Sequence, residues 1–192
     1  MTQASAPQVG WAHPDVNPDG FLAISRMRKQ AASLSVDDFA ASFPMPALRS
    51  IDPADSSTGI RKLLPSQDQG VQLLTQMVDG VEGLRYLGKL AFVTKRPGNP
   101  YPHLISIGRS KTNDITVGVS SVSKVHGYFV HDEDGWKFTD HGSTNGSRLN
   151  RRKLDAKEKV LLEDGAVLQL GSDTAFQFHL PAGLHRRLLR DA

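Results

Sequence analysis

The second half of the sequence predicts an all-β sandwich of two antiparallel sheets, and the first half predicts a mostly helical N-terminal extension. Three observations carry this division. From Lys89 onward, short apolar runs are broken by turn residues at roughly every eight to twelve positions, as in a sandwich. Before Lys89, apolar residues recur every three to four positions, the period of an amphipathic helix. Between those helical stretches, Pro44, Pro46, Pro53 and Pro65 stand among Ser, Asp and Gln, the composition of an irregular linker.

Taken in order, residues 1–20 are rich in Pro, Gln, Ser and Ala and read as a flexible tail. Phe21, Ile24, Met27, Ala31 and Leu34 fall on one face of a short helix, with Asp19 as its cap. Ser35 and Asp38 form a weak capping box for a second helix, with Leu34 stapled to Phe39. Pro44 ends it, because proline has no amide donor and disfavours helix in the residue before it. The linker spans 44–69. A third helical pattern places Leu74, Met77, Val78, Val81 and Leu84 on one face, weakened by Gly80 and Gly83. Thr58, in Asp55-Ser56-Ser57-Thr58-Gly59, lies in a polar segment that a kinase can reach; its alternative reading is an unmodified loop threonine.

The sandwich is expected over 89–181. Its strands are read at Leu90–Val93, Leu104–Ile107, Ile115–Val117, Gly127–His131, Trp136–Asp140, Val160–Leu162, Val167–Leu170 and Ala175–Leu180. Asp132-Glu133-Asp134-Gly135 joins two of them as a hairpin. Phe92, Phe129, Trp136, Phe138, Phe176 and Phe178 are its expected core. Residues 182–192, with Arg186, Arg187 and Arg190, read as a short basic helix or solvated tail.

Composition narrows the function. The sequence lacks cysteine, so it has neither disulfides nor thiolate metal sites, which suits a reducing, cytoplasmic setting. No apolar run approaches the roughly 20 residues needed to cross a bilayer, and the amino terminus shows no secretory pattern. The net charge of +3 divides into −2 over residues 1–88 and +5 over 89–192. That excess suits a small anionic ligand but lacks the clustered basic face of a nucleic-acid binder.

Three blocks in the second half carry chemistry. They are Ser106-Ile107-Gly108-Arg109-Ser110 with Asn113-Asp114 close by, Ser123-Lys124-Val125-His126-Gly127, and Asp140-His141-Gly142-Ser143-Thr144-Asn145-Gly146-Ser147 with Leu149-Asn150 beyond. Each ends an apolar alternation, so each belongs at a strand end or in a loop. A bound phosphate carries about −1.5 to −2 charges and three acceptor oxygens. Arg109 offers a planar fork of donors, Gly108 an unobstructed backbone, Ser123 and Thr144 hydroxyls, and Lys124 a second charge.

In this order and spacing the blocks resemble the forkhead-associated (FHA) domain, a β-sandwich whose apical loops bind phosphothreonine. The resemblance runs from about Lys89 to Leu180. It implies that Arg109, Ser123, Lys124 and Thr144 hold the phosphate and that Asn145 grips the peptide backbone beside it. It makes Gly108, His126, Gly146 and Asn150 structural supports of the loops. It implies selectivity for phosphothreonine over phosphoserine through a pocket for the γ-methyl, and places Ser121 where members of the family read the third residue after the phosphothreonine. The departures are Lys124 where Arg is frequent, Ser147 where Thr is, and Arg151 where Gly is. The expected partner is a phosphothreonine-containing protein, with a Ser/Thr kinase upstream and no cofactor, nucleic acid or membrane. The alternative is an adaptor that keeps the sandwich but binds without phosphate.

Other signals are weaker. Asn145-Gly146-Ser147 matches a glycosylation acceptor but lacks the secretory context. His126, His131, His141 and His179 lack paired metal-ligand spacing. No Walker loop, dinucleotide fingerprint or nucleophile elbow occurs, so an enzyme is not expected.

Overall fold

Side chains alternate between the two faces of a strand, and the phenylalanines of the second half use that alternation to fill one interior. A computed structural model describes residues 13, 15–52, 82–99, 101 and 103–191. Thr58, and the helical face proposed through Leu74, Met77, Val78 and Val81, lie outside them. The N-terminal elements are β1 (Phe21–Ala23), α1 (Ile24–Ser33), α2 (Val36–Ser42) and β2 (Ala47–Ile51). A 3-10 helix (Glu82–Tyr86) leads into β3 (Lys89–Phe92), β4 (Ile105–Gly108) and β5 (Ile115–Thr116). Two hairpins follow, β6 (Gly127–Asp132) with β7 (Gly135–Asp140) and β8 (Ser147–Leu149) with β9 (Arg152–Lys153). The chain continues through β10 (Lys159–Leu161), β11 (Val167–Leu170) and β12 (Thr174–His179) to α3 (Pro181–Arg190).

The strands form two sheets, a seven-stranded one in the order β1-β3-β2-β12-β11-β8-β9 and a five-stranded one in the order β10-β7-β6-β4-β5. Every pairing is antiparallel except β4 with β5. Ile107, Ile115, Phe129, Phe138, Leu168, Phe176 and Phe178, each at 0% exposure, meet between the sheets. Trp136 packs at the margin of this interior.

Two strands come from outside the expected sandwich. Ala47–Ile51 lies within the segment read as linker, yet it pairs with β12 from Ala47↔His179 to Ala175↔Ile51 and with β3 on its other side. Phe21–Ala23, read as the first turn of a helix, is instead an edge strand against β3. Phe21 enters the sandwich interior, its ring 4.6 Å from Tyr86 and 5.9 Å from Phe176. Asp19 does not cap α1, whose start at Ala23 carries no side-chain cap; its carbonyl accepts a hydrogen bond from Thr116 N instead. The cap read for the second helix is present, with Ser35 Oγ accepting from Asp38 N at 3.1 Å.

Strand β3 explains why its sequence is apolar without alternation. Ala91 and Val93 face the sandwich interior, while Leu90 and Phe92 face a second core of Leu22, Met27, Phe39, Phe43, Leu184 and Leu188. A strand covered on both faces reads as a continuous apolar run. Phe92 therefore belongs to this outer core, where its ring stacks on Phe43 at 5.7 Å and 5°.

The C-terminal helix is no solvated tail. Gly183, Leu184, His185 and Leu188 are buried, and α3 packs on α1 and α2. Asp164 anchors its start by accepting from Leu180 N at 2.8 Å, and the same carboxylate fills the space that a Cβ on Gly183 would need. Buried His185 bridges the carbonyls of Ala31 and Leu34 at 3.1 Å each and ties α3 to the end of α1.

Candidate functional site

The three sequence blocks converge at one apex, where strands of both sheets end. Arg109 follows the last residue of β4, and the backbone of 123–126 crosses directly against that strand end. Ile107 O receives His126 N, Arg109 N donates to Ser123 O, and Ser110 N donates to Lys124 O, all at 2.9–3.0 Å. The crossing requires glycine at 108: a Cβ there would lie 2.5 Å from Lys124 O and 2.9 Å from His126 N. Asn113, 1% exposed, ties the same loops from below, its amide donating to Ser110 O and Lys124 O at 2.8 and 2.7 Å.

The third loop is stitched on by side chains. Thr144 N donates to Ser123 Oγ at 3.0 Å, and the two hydroxyls lie 3.4 Å apart. Asn145 Nδ2 donates to Ser121 O at 2.8 Å, which leaves its carbonyl oxygen as an acceptor. Gly146 turns the chain with φ +74°, in the left-handed region that glycine adopts without steric cost. Its carbonyl receives Gly171 N, bringing the β11–β12 turn against Ser121.

A buried relay lies beneath the apex. Ser123 N donates to His126 Nδ1 at 3.1 Å, so the imidazole proton sits on Nε2, which faces Ser147 Oγ at 3.2 Å. Ser147 in turn donates to Asp140 Oδ2 at 2.5 Å. Burial pushes the fully buried His126 below its ordinary pKa, against the pull of the Asp140 carboxylate 3.7 Å away. Burial acts to raise Asp140, but bonds from Ser143 and Ser147, with His126 nearby, hold it below the usual carboxylate range. Ser147, His126 and Asp140 thus form a line whose polarity serves structure. The serine hydroxyl points at the carboxylate and is 1% exposed, so it is not presented as a nucleophile.

Above the relay stand the groups singled out from the sequence. Arg109, Lys124, Thr144 and Asn145 are exposed and Ser123 is half-buried. Arg109 Nε donates to Val122 O at 3.1 Å, which aims the guanidinium, and among the described residues no carboxylate pairs with it. Glu82 lies close enough for Arg109 to stabilise its charge. Its carboxylate falls below its ordinary pKa mainly because it accepts Ser120 N, at 2.5 Å. Asn150 stands apart from this cluster. It forms the β8–β9 turn with φ 49°, followed by Arg151 at φ 73°, and it exchanges hydrogen bonds with Val167. Asn113, Asp140 and Ser147 lay within or beside the quoted blocks, but nothing in their residue types announced that they would be buried and would position the loops.

Among the described residues, no three His, Asp or Glu side chains converge on a metal-sized gap, and no helix is long and apolar enough to cross a membrane.

Residues 105–171 match the family model of the FHA domain. An FHA domain-containing protein of Arabidopsis thaliana is 36% identical over 72 residues, which cover 37% of this chain and 19% of that protein. An ABC transporter ATP-binding/permease protein of Mycobacterium tuberculosis is 34% identical over 71 residues, 37% of this chain and 8% of that one. The curated relatives are therefore matched over a fifth or less of their own length. Among solved structures, the FHA domain of an Arabidopsis thaliana hypothetical protein aligns at a TM-score of 0.47 and 22% identity, covering 71% of this chain and 85% of that one.

Proposed function

We propose that residues 105–171, which match the family model of the FHA domain, form a module whose apex binds a phosphothreonine-containing segment of a partner protein and so docks the chain on the product of a Ser/Thr kinase. The observation that carries this reading is the aimed guanidinium of Arg109, in an ion pair with no carboxylate among the described residues, beside the Ser123 and Thr144 hydroxyls.

In this mechanism Arg109 gives the phosphate two parallel charge-assisted bonds. Ser123 Oγ already accepts Thr144 N, so its own hydrogen, held only loosely toward Thr144 at 3.4 Å, turns to a phosphate oxygen. The Thr144 hydroxyl supplies another donor and Lys124 a screened second charge. Asn145, oriented by Ser121, uses its free carbonyl oxygen to receive a backbone N–H of the peptide. Three or four charge-assisted bonds at roughly 1.5–3 kcal/mol each, less the cost of ordering the peptide, give a complex near micromolar affinity. The role is non-enzymatic, suits a cytoplasmic signalling contact and needs no cofactor, nucleic acid or membrane.

The test is binding to an oriented phosphothreonine peptide library, beside matched phosphoserine and unphosphorylated pools. The expected result is retention of phosphothreonine peptides by the wild type. Arg109→Ala should lose at least a hundredfold in affinity with an unchanged melting temperature. Equal affinity of the two proteins would overturn the site, and equal retention of the unphosphorylated pool would favour a phosphate-independent adaptor.

A further inference from the structure

A pocket of about 570 Å³ opens on the outer face of the five-stranded sheet, next to the apex. Its walls include Tyr101, Leu104, Val125, Tyr128 and His141, and Asn113 reaches its floor from beneath the loops. The register explains the position. Ser106 pairs with Tyr128, and both face outward because their neighbours Ile107 and Phe129 face the interior. Tyr101 is 64% exposed and Val125 44%, a degree of apolar exposure that the interior does not need. The Tyr128 and His141 rings meet edge-on at 6.1 Å. Among the described residues no Lys, Arg, Asp or Glu lines the cavity, so it is built for an apolar side chain rather than a second phosphate.

Its place along the second loop identifies the occupant. Ser121 holds Asn145 at one end, Ser123 meets Thr144 in the middle, and Lys124 O meets Asn113 next, with Val125 in the pocket wall. An extended peptide lying along this loop would meet Asn145 on one side of its phosphate and the pocket on the other. Such a chain advances about 3.3 Å per residue, so a pocket next to the apex lies within a few residues of the phosphothreonine. We infer that this pocket holds one large apolar or aromatic side chain of the same phosphorylated segment and gives the chain its sequence preference. The inference rests on the phosphothreonine reading above.

The test uses fluorescence anisotropy with phosphothreonine peptides carrying Leu, Phe, Ala or Asp at each of four positions on either side. The wild type should prefer Leu or Phe over Ala at a single position on one side only, by roughly tenfold, the effect of burying one such side chain. Tyr101→Ala and Val125→Ser, both at exposed sites that the fold does not need, should erase that preference while leaving affinity for the Ala peptide unchanged. Phosphate-dependent binding without any apolar preference would overturn the pocket and leave the apex reading intact. A preference that survives both substitutions would overturn it equally. Failure to bind any phosphothreonine peptide, with Arg109→Ala indistinguishable from wild type, would overturn both.

Discussion

The apical loops and the helical layer hold themselves together by opposite means. In the layer of α1, α2 and α3, Met27, Phe39, Phe43, Leu184 and Leu188 bury apolar surface against β1, β2 and β3, and even His185 spends its donor on two helix-end carbonyls. At the apex the loops are tied to one another by hydrogen bonds. Backbone carbonyls of 122–124, the Asn113 amide and the His126–Ser147–Asp140 relay do the fixing, while the Arg109 end amines, the Lys124 ammonium and the Asn145 carbonyl oxygen face solvent. His185 is spent internally in the layer, whereas the apex positions its binding groups without consuming them. Truncating a packing residue of the layer and truncating an exposed donor of the apex should therefore have separable effects.

The sharpest way to break this comparison is Phe39→Ala. Phe39 is fully buried, with rings of Phe43 and His185 at 4.9 and 5.2 Å, so truncation should cost about 3–5 kcal/mol in a urea titration. Phosphopeptide affinity, measured well below the new melting point, should not move. Arg109→Ala is the mirror image, and a shared phenotype would show that the two regions are one unit.

Protonation comes next in size. Burial lowers the pKa of both His126 and His179 from about 6.5. The folded protein therefore binds fewer protons than the unfolded chain, and stability rises with pH across this window. It should be complete above pH 6.5 and decline as pH falls below that value toward the folded pKa values. The depressed carboxylates, Asp140 among them, lose their contribution only at lower pH, as it falls below about 3.8. Urea titrations at pH 7 and pH 5 should show the loss, and His126→Gln with His179→Gln should flatten it; a wild-type curve that is already flat would contradict the assignment.

The smallest effect sharpens the electrostatics of the apex. Glu82 is exposed and lies near Arg109, so Glu82→Gln should tighten phosphopeptide binding about twofold at low ionic strength and not at all near 1 M salt. Weaker binding would mean that the Glu82–Ser120 bond shapes the loop more than the charge opposes the ligand.

The apex was readable from the sequence because its signals are local. Gly142 and Gly146 mark turns, Gly108 marks a close backbone approach, alternation gives the strands, and the chemical residue types cluster in short blocks. What was missed depends on distant partners. Ala47–Ile51, among prolines, becomes a strand only because β12, well over a hundred residues later, supplies its hydrogen bonds. Phe21 shares the three-to-four spacing of α1, yet its ring is claimed by Tyr86 and Phe176. In α3 the signal was present, since Leu184 and Leu188 lie one turn apart on one face, but the arginines between them suggested solvent. Asp140 and Ser147 look like ordinary turn residues until His126 is seen between them.

The apex joins β4, β6 and β7 of one sheet to β8 and β11 of the other, with Thr144 and Asn145 bonded back to residues more than twenty positions earlier. No single hairpin contains a working version of it. On the proposed reading, a phosphorylated segment is captured only by chains that have already assembled both sheets, and its occupancy feeds back on the folding equilibrium of the whole sandwich. At a ligand concentration a hundred times the dissociation constant, this coupling adds about 2.7 kcal/mol to the free energy of unfolding. A phosphorylated partner would thus act as a thermodynamic clamp, protecting the docked protein from degradation for as long as the phosphate remains.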